Sequence, residues 1–222
     1  MAKTKKQETT GFEKYIRWFW MLFLGGILLI VLIFFLASVG AFGEMPDHTQ
    51  LENPETNLAT EIISSDGKTL AKFYLNDNRT PVRYEDLPQN LIDALVATED
   101  ARYYDHSGID ARGLLRAVLK PGSGGASTIS QQLAKQLFHG EGSKNIAERL
   151  IQKIKEWIIA VRLERQYTKE EIIAQYFNIY DFGNNADGIR SAARIYFGKE
   201  PKELTVKESA MLVGMFKNSS LY

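Results

Sequence analysis

From Trp18 to Phe42 the chain carries no charged residue and is dominated by Leu, Ile, Val and Phe. That is more than the ~20 apolar residues that cross the hydrocarbon core of a bilayer. A run of this kind constrains the fold more than any other feature, because it has to be covered on all sides by protein or lie in lipid. The sequence predicts a transmembrane helix over 18–42. A cleaved leader is the competing reading, since Ala37-Ser38-Val39-Gly40-Ala41 offers small residues suited to a cleavage site. The run is, however, much longer than the ~7 to 15 apolar residues of a leader core. Lys3, Lys5, Lys6, Lys14 and Arg17 precede it, while Glu44 and Asp47 follow. Positive charge stays on the cytoplasmic side, so residues 1–17 are expected in the cytoplasm and everything after the span outside.

The 222 residues are enough for one ordinary domain plus appendages. Lys and Arg number 27 against 27 Asp and Glu, so no overall basic field points to nucleic acid, and an anionic ligand would need a local cluster. Cysteine is absent, which excludes disulfides, thiolate metal sites and cysteine nucleophiles. His48, His106 and His139 are too far apart in sequence to suggest a zinc site.

Residues 43–60 are polar, contain Pro46 and Pro54, and read as a linker. Next, Glu61–Ser65 and Thr69–Tyr74 are strand-forming runs around an Asp66-Gly67 turn, a hairpin signal. From Leu87 onward the pattern is helical, with helices expected at 88–100, 110–119, 128–138, 145–166, 169–180, 186–197 and 206–216. The part from 61 to 222 is therefore a mainly α domain with a small β element at its entrance.

In the first of these helices Leu91, Ile92, Leu95 and Val96 form an apolar stripe, and Glu99 falls inside it. A carboxylate there is paired, solvated in a cleft or catalytic, and burying such a group is one route to a general acid or base. A helix-end glutamate turned to solvent is the more ordinary reading from periodicity alone. Pro121-Gly122-Ser123-Gly124-Gly125 then leads into Thr128-Ile129-Ser130-Gln131, a capping-box pattern whose helix N-terminus suits a phosphate. Along that helix Ile129, Leu133 and Leu137 face the core, while Gln132, Lys135 and Gln136 line another side. In the long helix from Asn145 the expected buried stripe is Ile146, Leu150, Ile154, Trp157, Ile158 and Val161. Arg149, Lys153 and Glu156 lie on its border within about 60° of one another. They read either as a substrate-facing row or as a salt-bridge ladder worth a few tenths of a kcal/mol. Lys155 and Arg162 read as solvent charges, and His106 as a structural histidine bonding its own loop.

The run Glu99-Asp100-Ala101-Arg102-Tyr103-Tyr104-Asp105-His106-Ser107-Gly108 resembles the first signature of the peptidoglycan glycosyltransferases, the family 51 transglycosylases. These occur as monofunctional enzymes and at the front of class A penicillin-binding proteins of the 1A type. Gly124-Gly125-Ala126-Ser127-Thr128-Ile129-Ser130-Gln131-Gln132 is similar to the second signature and Lys153-Ile154-Lys155-Glu156 to the third. Gly188-Ile189 to Tyr196-Phe197-Gly198-Lys199 is similar to the closing one. The resemblance implies a lysozyme-like, mainly α glycosyltransferase domain with a membrane-dipping jaw, here about residues 109–145. It implies polymerisation of lipid II onto a growing lipid-linked glycan chain with release of undecaprenyl pyrophosphate, in the cell inner membrane, the catalytic domain being extracytoplasmic.

By the same resemblance Glu99 is the base, with Asp100 a secondary member of the site, and Lys135, Arg149 and Lys153 meet the pyrophosphate. Glu156 orients them or holds a divalent cation, Mg or Mn, a cofactor the sequence leaves open. Thr128, Gln131 and Gln132 join the substrate-binding set. Two departures affect the phosphate contacts: Gln152 stands where an arginine usually precedes the third signature, and Arg149 is displaced by one position. In the fourth signature Asp187 replaces a frequent aromatic. Ser127, Thr128 and Ser130 are not nucleophile candidates, because no Ser-x-x-Lys is present. The alternatives are a lysozyme-like glycan-cleaving enzyme, which needs no cationic row, and a noncatalytic scaffold among cell-wall synthesis partners. The chain ends at Tyr222, where relatives are expected to continue, and so reads as an N-terminal portion.

Overall fold

A computed structural model describes residues 11–47, 50–51, 60–66, 69–73, 79–120, 125–138 and 145–217. The chain divides into two compact units between Met45 and Pro46.

The first unit is α1, Gly11–Ser38. From Phe12 onward it is long and apolar enough to cross a membrane. The helix is displaced toward the N-terminus from the limits expected from composition. It begins ahead of Trp18, taking in Glu13, Lys14 and Arg17, because charges at a helix end do not interrupt its backbone bonds. It stops at Ser38 rather than Phe42, and its last carbonyls show why. Gly40 N–H bonds to Ala37 O at 3.1 Å, Ala41 N–H bonds to Leu36 O at 3.0 Å, and Gly40 has φ 83°. This paired closure requires a left-handed residue, which glycine supplies without strain.

The second unit opens with an antiparallel pair, β1 Thr60–Ile63 and β2 Thr69–Phe73, in which Thr60 faces Phe73 and the register slips between Ile62 and Ile63. Gly67 of the expected turn lies outside the described residues, as does Tyr74. Seven helices follow: α2 Gln89–Glu99, α3 Ala111–Leu119, α4 Ile129–Phe138, α5 Ile146–Gln166, α6 Lys169–Ile179, α7 Gly188–Phe197 and α8 Val206–Gly214. Short 3₁₀ turns sit at Tyr84–Asp86, Tyr103–Asp105 and Pro201–Glu203.

The helix starts are written in side chains. Thr168 with Glu171 and Thr205 with Glu208 form capping boxes, and Asn145 Oδ1 accepts from Ala147 N–H at 3.0 Å. At the centre is α6, whose Ile172, Ile173, Tyr176 and Phe177 are fully buried, with α4 and α7 packed against it. Further contacts join α4 to α5 and α2 to α8. Phe216 closes the core below Tyr176 and Phe177, with ring centroids at 5.0 and 5.7 Å.

The face expected to be buried on α5 needs correction. Ile146 is 75% and Leu150 62% exposed, whereas Ile159, Ala160 and Leu163 are fully buried. Periodicity identifies residues that share a face, but only a neighbouring element can cover it. Lys155, read as a solvent charge, is buried, and Arg162 is half-buried with Nη1 donating to Pro46 O at 3.3 Å. On α3, Leu115, Val118 and Leu119 are exposed beside Arg112 and Arg116. Residues 121–124 and 139–144 of the expected jaw lie outside the described residues.

Candidate active site

A cleft of about 1030 Å³ runs along α4 and the first half of α5, closed on its other side by the end of α6. Because Ile129 and Leu133 bind α4 to the core, Gln132 and Lys135 are turned to the opening. On α5 the spacing of Arg149, Lys153 and Glu156 brings all three to the same cleft wall. Ile146 and Leu150 continue that wall as bare apolar surface.

Lys153 joins the two helices' ends. Its Nζ donates to Ser127 Oγ and to Glu156 Oε2, each at 2.8 Å. The Glu156 carboxylate is only 10% exposed and the Lys153 side chain 35%, so this i,i+3 pair is partly withdrawn from solvent at the cleft wall. Lys135 and Arg149 are exposed at the rim. Three cations and one inward carboxylate therefore leave this wall with an excess of positive charge.

Glu99 is the last residue of α2 and is half-buried. Its Oε2 accepts from Gln132 Nε2 at 2.9 Å, and Gln132 Oε1 accepts from the Tyr176 hydroxyl at 2.8 Å. Glu99 thus meets the cleft through Gln132. Burial first, and then the Glu99 charge, push the Tyr176 phenol far above its ordinary value. Tyr180 on the opposite wall is pushed up to about 12 by burial, Asp181 and Glu99.

Asp100, Thr128 and Gln131, expected among substrate contacts, have their polar groups turned into the protein. Asp100 is buried; its Oδ2 accepts from Ile129 N–H at 3.1 Å, and both its oxygens face His106 Nε2 at 3.1 and 3.2 Å. The Thr128 hydroxyl donates to Gly108 O at 2.8 Å and accepts from Gln131 N–H at 3.2 Å. Gln131 Nε2 donates to the same Gly108 oxygen at 3.0 Å instead of completing the expected capping box. At the N-terminus of α4, which from the sequence suits a phosphate or is simply a capped helix start, Ile129 N–H is already met by the Asp100 carboxylate. His106 braces this loop, as its sequence context indicates.

The donor set does not fit a protein-held metal. Glu156 Oε2 is engaged by Lys153, and among the described residues no group of three His, Asp or Glu side chains comes together.

Sequence reasoning missed Tyr176, which reads as an ordinary core aromatic, and Ser127, which was weighed only as a nucleophile. It also missed Arg79 and Tyr180, which wall the cleft. Arg79 Nη2 donates to Ile179 O at 3.2 Å across a separation that no local pattern reveals.

The sequence profile of the transglycosylase family matches residues 66–222. The chain belongs to the transglycosylase family. That matched segment contains every cleft residue named above, and α1 lies outside it. Among similar proteins, penicillin-binding protein 1A of Vibrio cholerae is 40% identical over 182 residues, covering 80% of this chain and 21% of that protein. Penicillin-binding protein 1F of Bacillus subtilis is 37% identical over 204 residues, covering 88% and 28%. Penicillin-binding protein 1A of Escherichia coli is 38% identical over 184 residues, covering 81% and 21%. The chain thus spans about a fifth to a quarter of the length of the curated relatives it matches.

Proposed function

We propose that the chain is a membrane-anchored peptidoglycan glycosyltransferase that polymerises lipid II into β-1,4-linked glycan and releases undecaprenyl pyrophosphate. The observation that carries this reading is a glutamate bonded to Gln132, itself a cleft residue, beside the cationic wall of Lys135, Arg149 and Lys153. A glycan hydrolase needs a carboxylic acid but has no pyrophosphate to hold.

In this reaction the 4-hydroxyl of the acceptor sugar attacks the anomeric carbon of the donor. The C–O bond to pyrophosphate breaks, and attack from the opposite face converts the α linkage to β. Glu99 takes the hydroxyl proton, with Oε1 as the receiving atom because Oε2 accepts from Gln132. The pyrophosphate leaves with both electrons of the broken bond, and the cations stabilise the charge that develops on it. Lys153 is the inner contact, set by Ser127 and Glu156, while Lys135 and Arg149 reach in from the rim. The substrate-binding roles of Asp100, Thr128 and Gln131 are indirect: they fix the loop that follows Glu99 and the start of α4.

We place the chain in the inner membrane with residues 1–17 cytoplasmic, 18–42 spanning, 43–60 as linker and the domain from 61 onward outside. Both lipid-linked substrates then share the bilayer that anchors the enzyme. The test is incubation of the detergent-solubilised chain with labelled lipid II. Polymer from the native protein and none from Glu99→Gln is the expected result; near-normal polymer from Glu99→Gln overturns the assignment.

A further inference from the structure

Tyr176 is fully buried, and its ring is already fixed by Phe216 at 5.0 Å, Tyr180 at 6.3 Å and Phe177 at 6.4 Å. A phenylalanine would fill that space and bring no hydroxyl to satisfy. The hydroxyl nevertheless makes one bond, to Gln132 Oε1 at 2.8 Å. Burial and the neighbouring Glu99 charge keep this phenol protonated, so it remains a donor at every working pH. That settles an ambiguity inherent in any glutamine, whose amide oxygen and nitrogen have nearly the same shape. The oxygen must face the phenol proton, and therefore the NH₂ must face Glu99 Oε2, at 2.9 Å. Turned over, the amide would set its oxygen against the carboxylate, and its NH₂ could bond the phenol oxygen only by leaving the buried phenol proton without this acceptor.

We propose that Tyr176 is a positioning residue for Glu99, acting through the side-chain amide of Gln132. The inference rests on the reading of Glu99 as the base. A buried donor on the core helix α6 fixes the sense of an amide on α4, and that amide fixes the carboxylate at the end of α2. Oε2 is thereby held as an acceptor of the amide proton, and Oε1 is presented to the sugar hydroxyl. Three helices are thereby registered at one side-chain amide. Tyr176 itself touches no substrate, so its contribution belongs to turnover and not to affinity.

The test is a double-mutant cycle on the full chain in detergent, reading initial rates of polymer formation against labelled lipid II concentration. Native protein, Tyr176→Phe, Gln132→Leu, the double variant and Glu99→Gln are compared at a temperature where circular dichroism shows all five folded. Tyr176→Phe should lower kcat about 5- to 10-fold, the scale of one orienting hydrogen bond, with KM for lipid II unchanged. In the Gln132→Leu background the same substitution should cost nothing further, because the amide through which it acts is gone. An equal loss in both backgrounds makes the hydroxyl merely structural and overturns the inference, as does a rise in KM at constant kcat or no change at all. If Glu99→Gln retains its rate, the base assignment itself has failed. If Glu99→Gln is inactive while Tyr176→Phe behaves like native protein, only the positioning role has failed.

Discussion

At the scale of single residues, Glu99, Lys153 and Glu208 each owe their state to a short list of partners. Replacing Glu99 by Gln keeps the size and the contact to Gln132 while removing the proton acceptor. Polymerisation should fall by about 10² to 10⁴-fold, the usual contribution of a positioned base, at an unchanged melting temperature. Lys153→Met tests the cationic wall. A charge-assisted contact to phosphate at the half-buried wall should cost ~1.5 to 3 kcal/mol in transition-state stabilisation, read from kcat/KM. A mere i, i+3 pair would change only the melt, and slightly. Arg149→Met, at the exposed rim, should be milder. Far from the cleft, the Lys199 ammonium, together with the N–H and hydroxyl of Thr205, holds the Glu208 carboxyl down to about 2 from 4.5. A depressed carboxyl stabilises the fold above its unfolded value. That contribution is whole above about pH 4.5 and is lost as pH falls toward 2. A Glu208→Gln variant should therefore show a flatter melting-temperature profile over that acid window than native protein.

At the scale of elements, much of this fold was legible beforehand. The seven helices of the domain lie where apolar periodicity put them, with ends displaced by a residue or two, because Thr168, Thr205 and Asn145 announce their starts. Glu99 and the Arg149, Lys153, Glu156 row were legible for the same reason, since their place on one helix is a matter of period. What was illegible depends on a second element. Nothing local tells that α5 leaves Ile146 and Leu150 uncovered, that Lys155 is buried, or that Asp100 reaches the first N–H of α4. Gly108 concentrates several of these long-range ties. It has φ 89°, its oxygen takes both Thr128 and Gln131, and a Cβ there would stand 2.9 Å from the Ala160 carbonyl. Gly108→Ala should cost at least about 1 to 3 kcal/mol from backbone strain alone, measured by denaturant titration. It should also lower polymerisation, because Asp100 and the start of α4 would move with the loop.

At the scale of the whole molecule, the bare apolar residues Leu115, Val118 and Leu119 of α3, flanked by Arg112 and Arg116, have the composition of a helix lying in a membrane interface. The chain has no cysteine, so single labels can be introduced without a background. In the chain reconstituted into vesicles, an environment-sensitive dye on Val118→Cys should report an apolar setting and be quenched by lipid-borne quenchers. The same dye on Lys207→Cys, on the exposed face of α8, should not. The span itself predicts that a reporter fused after Tyr222 is extracytoplasmic and that the mature protein retains its N-terminal residues. A mature N-terminus near Ala41 would instead mark α1 as a leader.

The Asp100 carboxylate at the head of α4 carries one more consequence, for the timing of the catalytic cycle. A phosphate seated on fixed backbone amides sits in a rigid cradle, and leaving it means breaking several bonds together. Here the first of those amides, Ile129 N–H, is taken by the protein's own anion, and that of Gln131 by the Thr128 hydroxyl. On the proposed function, a departing pyrophosphate would be held by lysine and arginine arms whose rotamers relax one at a time. Such a grip holds while charge builds and loosens afterwards, so a spent carrier can slip back into the bilayer while the lengthened strand moves up for the next addition.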